Sequence, residues 1–179
     1  MLPSPNPIYR EQLRRFQDAL RVAGERDHAD EDADFGMVSD RALHPVIGRT
    51  PTDAPGAETI RTVDLRRLLA DAKPVVIDTM LNSWDPSIPG AVGLKFAGLG
   101  GDFSDEAQDR LRPKLRELTA GDLARPIVVA GFNSERFDGR NLALRLVALG
   151  YTHVYWYRGG REAWEVVGLP EADATVEDW

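Results

Sequence analysis

The sequence predicts an α/β domain in which a parallel sheet carries helices on both faces, and three observations predict it. Short, almost continuous apolar runs recur at "PVVIDT" (74–79), "PIVVA" (126–130) and "THVYWY" (152–157). Stretches of helical period separate them, and Gly or Pro marks the junctions. Strands this apolar are buried on both sides, the pattern of parallel sheets covered by crossover helices.

The elements follow in chain order. Residues 9–24, "YREQLRRFQDALRVAG", place Leu13, Phe16, Leu20 and Ala23 at three- and four-residue steps, a helix with one apolar stripe ended by Gly24. An acidic run follows, in which Asp30, Asp32 and Asp34 take the first, third and fifth positions of a calcium loop. The sixth position is Phe35 rather than Gly and the twelfth is Arg41 rather than Glu, so a solvated acidic linker is the expectation. Residues 37–57 carry Pro45, Pro51 and Pro55 with Gly48 and Gly56, and read as an extended arm.

From residue 58 the pattern is regular. "ETIRT" reads as a short strand, and "VDLRRLLADA" as a helix with Leu65, Leu68 and Leu69 on one side. "SIPGAVGL" is a turn leading into a short strand. "SDEAQDRLRPKLRELTAG" is a helix capped by Ser104 and ended at Gly121, kinked or split in two by Pro113. "GRNLALRLVALG" puts Leu142, Leu146 and Leu149 on one stripe and stops at Gly150, and "GGREAWEVVG" closes the series as a short helix. The expected organisation is an N-terminal helix and extended acidic, Pro-rich arm over 1–57, a domain over 58–170 and a tail over 171–179.

Composition narrows the function. A chain of 179 residues suits one domain, and 42% hydrophobic with 28% charged residues is a soluble globular composition. Lys plus Arg number 22 against 29 Asp plus Glu, and the formal charge of −7 argues against nucleic-acid binding, which needs a basic surface. The absence of cysteine excludes disulfides, thiolate metal sites and thiol catalysis. His28, His44 and His153 are scattered, so no metal site is expected. No cofactor is expected either, because the "GLGG" of 98–101 does not join a strand directly to a helix and reads instead as a flexible loop or lid. No run approaches the roughly 18 apolar residues of a membrane span. "MLPSPNPIYREQLRRF" holds no signal-peptide core, so the chain as written reads as cytoplasmic, or as periplasmic if it is a trimmed mature form.

Right-handed crossovers put the loops that leave the strands on one edge, where ligands of such folds bind. Those loops are 78–90, 131–138 and 158–161. The order "VVIDT", "SIPGAVGL", "PIVVA" plus loop, then "LVALGYTHVYWYRGGREAWEVVGLP" resembles the rhodanese-like (sulfurtransferase) family over about residues 60–170. Ile88 to Ala91, "IPGA", is one hallmark, and the block from Gly150 to Trp164 is the other. Its "VYWYRGG" ending resembles a bacterial subgroup that includes exported proteins associated with quinoprotein alcohol oxidation.

The resemblance implies a five-stranded parallel sheet flanked by helices and a substrate loop after "PIVVA". In active members a cysteine opens that loop and carries sulfur as a persulfide. Gly131 stands at that position here. The expected function is therefore a catalytically inactive rhodanese-like domain that binds a small anion or a protein partner. Its loop would comprise Gly131, Phe132, Asn133, Ser134, Glu135, Arg136 and Phe137, with Arg136 as anion clamp and Asn133 and Ser134 as auxiliary donors. Asp78, Trp84 and Asp85 would form the opposite wall, and Phe132 and Phe137 an apolar rim. Arg136 could instead pair with Glu135, Asp138 or Asp85 and only hold the loop. Two other chemistries are weighed against this. Ser134 as a nucleophile lacks a histidine near it in sequence, and a non-thiol hydrolase would use Asp78 and Asp85 as its acid and base.

Overall fold

A computed structural model describes residues 43–44, 48–79 and 86–179. The helix expected over 9–24 and the acidic run with its calcium-loop reading lie outside the described residues. The elements are β1 (Glu58–Ile60), α1 (Thr62–Asp71), β2 (Val75–Asp78), β3 (Val92–Gly93), α2 (Glu106–Leu118), β4 (Ile127–Ala130), α3 (Asp138–Ala148), β5 (Val154–Tyr157), α4 (Gly160–Val166) and β6 (Thr175–Val176). All strands run parallel in one sheet of order β1-β5-β4-β2-β3-β6. The sheet has six strands, one more than the resemblance implied. The extra one is a two-residue strand from the tail, Thr175 and Val176, too short to show a period, and it covers the outer edge of β3.

Strand alternation sorts the core into two layers. Ile127 and Val129 of β4, Ile77 of β2 and Trp156 of β5 pack with Leu111 and Leu115 of α2 and Leu142 and Leu146 of α3. Val128 and Ala130, Val76 and Tyr157 pack with Leu65 of α1 and Ala163 and Trp164 of α4. Neighbours along one strand thus enter opposite layers, as a pleated backbone requires. Trp156 and Trp164 are core residues, 1% and 5% exposed.

Three local expectations differ from the structure. The cap of α2 is Asp105, one residue after Ser104, and its side chain accepts the Gln108 N–H at 2.8 Å. Of the two outcomes expected at Pro113, the split does not occur: α2 runs unbroken through it, with the proline on the exposed side. The 98–101 loop is tied down rather than free. Asn141 Nδ2 donates to Gly98 O at 3.0 Å and Arg145 Nη2 to Leu99 O at 3.1 Å, so the loop belongs to the α2–α3 layer.

Candidate functional site

Asp78, Ala130 and Tyr157 are register neighbours at the carboxyl ends of β2, β4 and β5. The loops that follow therefore start level with one another and meet. Arg161 N–H donates to Gly131 O and Glu162 N–H to Phe132 O, both at 3.0 Å. Gly160 makes that contact possible. Its φ is +63°, and a Cβ there would stand 2.5 Å from Gly131 O.

The 131–137 loop is built from within. Asn133 Oδ1 accepts the Glu135 N–H at 3.0 Å, Asn133 O accepts the Arg136 N–H at 3.3 Å, and Asn133 Nδ2 donates to Glu162 Oε2 at 3.2 Å. Asn133 is thus spent on the loop's own shape. Ser134 is buried and its hydroxyl has no hydrogen-bond partner, while its carbonyl accepts from the Thr50 N–H and the Thr50 hydroxyl, each at 2.8 Å. Glu135 is exposed and pairs with Arg49 at 3.5 Å. Phe137 is buried beneath the loop, stacked on His44 with ring centroids 4.1 Å apart. Phe132 holds the more open position, and the guanidinium groups of Arg136 and Arg161 each lie 5.5 Å from its ring centroid.

Those two cations differ in commitment. Arg161 is buried and paired with Asp78, Nε to Oδ2 at 3.3 Å. Arg136 is half-buried and makes no ion pair among the described residues. Asp78 itself is 1% exposed and also accepts from the Ser87 hydroxyl at 2.6 Å, so this member of the hydrolase pair is engaged in fastening two loops. Trp84 and Asp85, the rest of the opposite wall, lie outside the described residues.

One residue near the site gave only an indirect sequence signal. Asp138, the first residue of α3, is 2% exposed and its Oδ2 accepts from the Thr79 hydroxyl at 2.6 Å. Its Oδ1 has no partner. A Cβ built on Gly131 would stand 2.6 Å from that Oδ1 and 3.0 Å from Oδ2. The carboxyl therefore fills the space a side chain at 131 would need. Burial pushes this carboxyl above the usual range, against the opposing effects of the Thr79 hydroxyl, the nearby Gly139 N–H, the Arg136 charge and its own N–H. Among the described residues, no group of three His, Asp or Glu stands close enough to hold a metal ion.

The family model of the rhodanese-like domain matches residues 62–166, more than half of the chain. The chain belongs to the rhodanese-like domain family. Solved structures similar to this rhodanese-like domain include a thiosulfate sulfurtransferase from Pseudomonas aeruginosa, at 16% identity and a TM-score of 0.48, over 91% of this chain and 25% of that one. The domain thus spans about a quarter of that protein's length. A polysulfide-sulfur transferase homodimer from Wolinella succinogenes matches at 19% identity and a TM-score of 0.47, over 68% of this chain and 82% of that one. A full-length protein from Lactobacillus plantarum matches at 23% identity and a TM-score of 0.45, over 63% and 82%. No curated protein matches it.

The site of this rhodanese-like domain has Gly131 where the resemblance puts the sulfur-carrying cysteine, and the chain has no cysteine at all. No residue of it can hold a persulfide, which fits a catalytically inactive member of the family. No helix among the described residues is long and apolar enough to cross a membrane.

Proposed function

We propose that this rhodanese-like domain is a binding module whose 131–137 loop takes a small anion or the anionic group of a protein partner through Arg136. The observation that supports this reading is the half-buried Arg136 guanidinium, laid along the Phe132 ring without an ion pair among the described residues. A cation held in place by a ring and free of a carboxylate keeps its donor fork for an oxyanion. Arg161 beside it adds positive potential, though Asp78 offsets much of its charge. A hydrolase built on Asp78 and Asp85 gains no support from this geometry, since Asp78 is buried and held by Arg161 and Ser87.

Within the family, we place the chain in the bacterial subgroup associated with quinoprotein alcohol oxidation on its "VYWYRGG" ending, with the cytoplasm as its compartment as written and the periplasm if it is a trimmed mature form. A gene neighbourhood without a quinoprotein dehydrogenase would count against that placement.

Sulfate or phosphate tests the binding reading. At ten times its Kd a ligand stabilises by about 1.4 kcal/mol, a rise of roughly 3–5 °C in Tm for a chain of this size. Arg136→Ala is expected to abolish the rise. Equal rises in both proteins would place the anion elsewhere.

A further inference from the structure

Residues 48–50 come from far upstream in the chain, yet they meet the 131–137 loop at its centre. Gly48 N–H donates to Glu135 O at 2.9 Å, and Thr50 N–H donates to Ser134 O at 2.8 Å. The Thr50 hydroxyl donates to the same Ser134 oxygen at 2.8 Å. Thr50 is in turn held by Arg158, whose Nε donates to Thr50 Oγ1 at 3.0 Å and whose Nη2 donates to Thr50 O at 2.8 Å. Thr50 and Arg158 are 0% and 1% exposed. Arg158 directly follows β5, so the sheet itself is the anchor.

The consequence follows from peptide planarity. A carbonyl and the next residue's N–H share one rigid plane. Ser134 O is fixed by Thr50 while its plane-mate, the Glu135 N–H, is fixed by Asn133 Oδ1. Glu135 O is fixed by Gly48 while the Arg136 N–H is fixed by Asn133 O. Both peptide planes leading into Arg136 are therefore held at both ends, one end by the loop and the other by the upstream segment.

We propose that residues 48–50 are a strap that sets the position of Arg136, with Thr50 and Arg158 as its positioning residues. The strap touches no ligand; it acts through the loop backbone. Its role as a determinant of anion affinity rests on the binding reading given above, whereas its role in ordering the loop does not.

Hydrogen exchange read by mass spectrometry on Thr50→Val, Thr50→Ser and the unmodified chain tests it, together with the sulfate-induced rise in Tm. Thr50→Val removes the hydroxyl from both of its bonds. Exchange in peptides covering 131–137 is expected to quicken about tenfold, the effect of losing one net hydrogen bond. Peptides of β2 and β4 should keep their rates, the sulfate response should shrink, and Thr50→Ser should restore both. Unchanged loop exchange, or equal acceleration in the loop and in β2 and β4, overturns the strap. If Thr50→Val does not fold, Arg158→Lys, which keeps the charge and loses the fork onto Thr50, is read by the same criteria. A chain with no sulfate response at all would sink the anion reading, and the exchange rates would still decide the strap.

Discussion

Helix α3 carries a buried charge near each end, and the two are treated in opposite ways. Arg145, in its last turn, is fully buried and grips Asp105 with a two-pronged contact, Nη1 to Oδ1 and Nη2 to Oδ2, both at 2.8 Å. It also donates to the carbonyls of Leu99 and Asp102 and to Gln108 Oε1. Asp138, in the first turn, has one oxygen bonded to Thr79 and the other without a partner. The Arg145 hydrogen bonds, helped by the Gln108 N–H, hold the Asp105 carboxyl down to about 2 against its burial, whereas burial pushes Asp138 up. Arg145 spends both terminal nitrogens of its guanidinium on partners and leaves Nε without one, whereas Asp138 engages one carboxyl oxygen with Thr79. The contrast separates an end of α3 that ties Asp105 and the 99–102 carbonyls to the helix from an end that sets a carboxyl against Gly131.

Arg145→Met attacks the architectural end and should have the largest effect. It takes the Arg145 fork from Asp105 and a side-chain donor from the Leu99 and Asp102 carbonyls, and with Asp105 partly open to water the loss is about 2–3 kcal/mol. Urea unfolding would show it, and a loss under about 1 kcal/mol would mean that the fork is ornamental. Gly131→Cys attacks the other end and should cost less, about 1–3 kcal/mol of overpacking. The new Cβ meets the Asp138 carboxyl at 2.6–3.0 Å, and that carboxyl disfavours a thiolate beside it. The variant is therefore expected to show no thiosulfate-to-cyanide turnover, and adding Asp138→Ala should recover part of its stability. A Gly131→Cys protein as stable as the parent would show that the carboxyl yields without strain.

How much of this was legible in the sequence depends on range. The sheet, the two layers and the meeting of three loops followed from apolar runs and helical stripes, which are local signals. Gly131 at the head of the loop was legible because its strand, Ile127–Ala130, is a continuous apolar run. Arg145 was missed because a cation amid Leu142 and Leu146 reads as a break in the stripe, and its partner Asp105 lies 40 residues away. The Thr50 contacts span 84 residues to Ser134 and 108 to Arg158, far beyond the three- and four-residue steps that periodicity sees. The sequence offers Asp138 only as a partner for Arg136. Its place against Gly131 depends on how the loop folds back, which no spacing encodes.

The smallest expected effect is also the one that separates the two ends of α3 by sign. Asp105 has a depressed carboxyl, so its contribution to stability is present above the ordinary value of 3.8 and fades as pH falls toward about 2. Asp138 is raised, so its contribution is present below 3.8 and fades as pH rises through its folded value. Urea midpoints followed from pH 2 to pH 7 should then show opposite trends in the two isosteric variants. Asp105→Asn should fall further behind the parent as pH rises from 2 to 4 and keep that deficit above it. Asp138→Asn should gain on the parent as pH rises above 4, because the unfolded parent then ionises at the ordinary value while burial holds the proton on the folded carboxyl. Should both variants drift in the same direction, the opposite treatment of the two ends of α3 would be wrong, and the Asp138 carboxyl would be stabilised in its charged form after all.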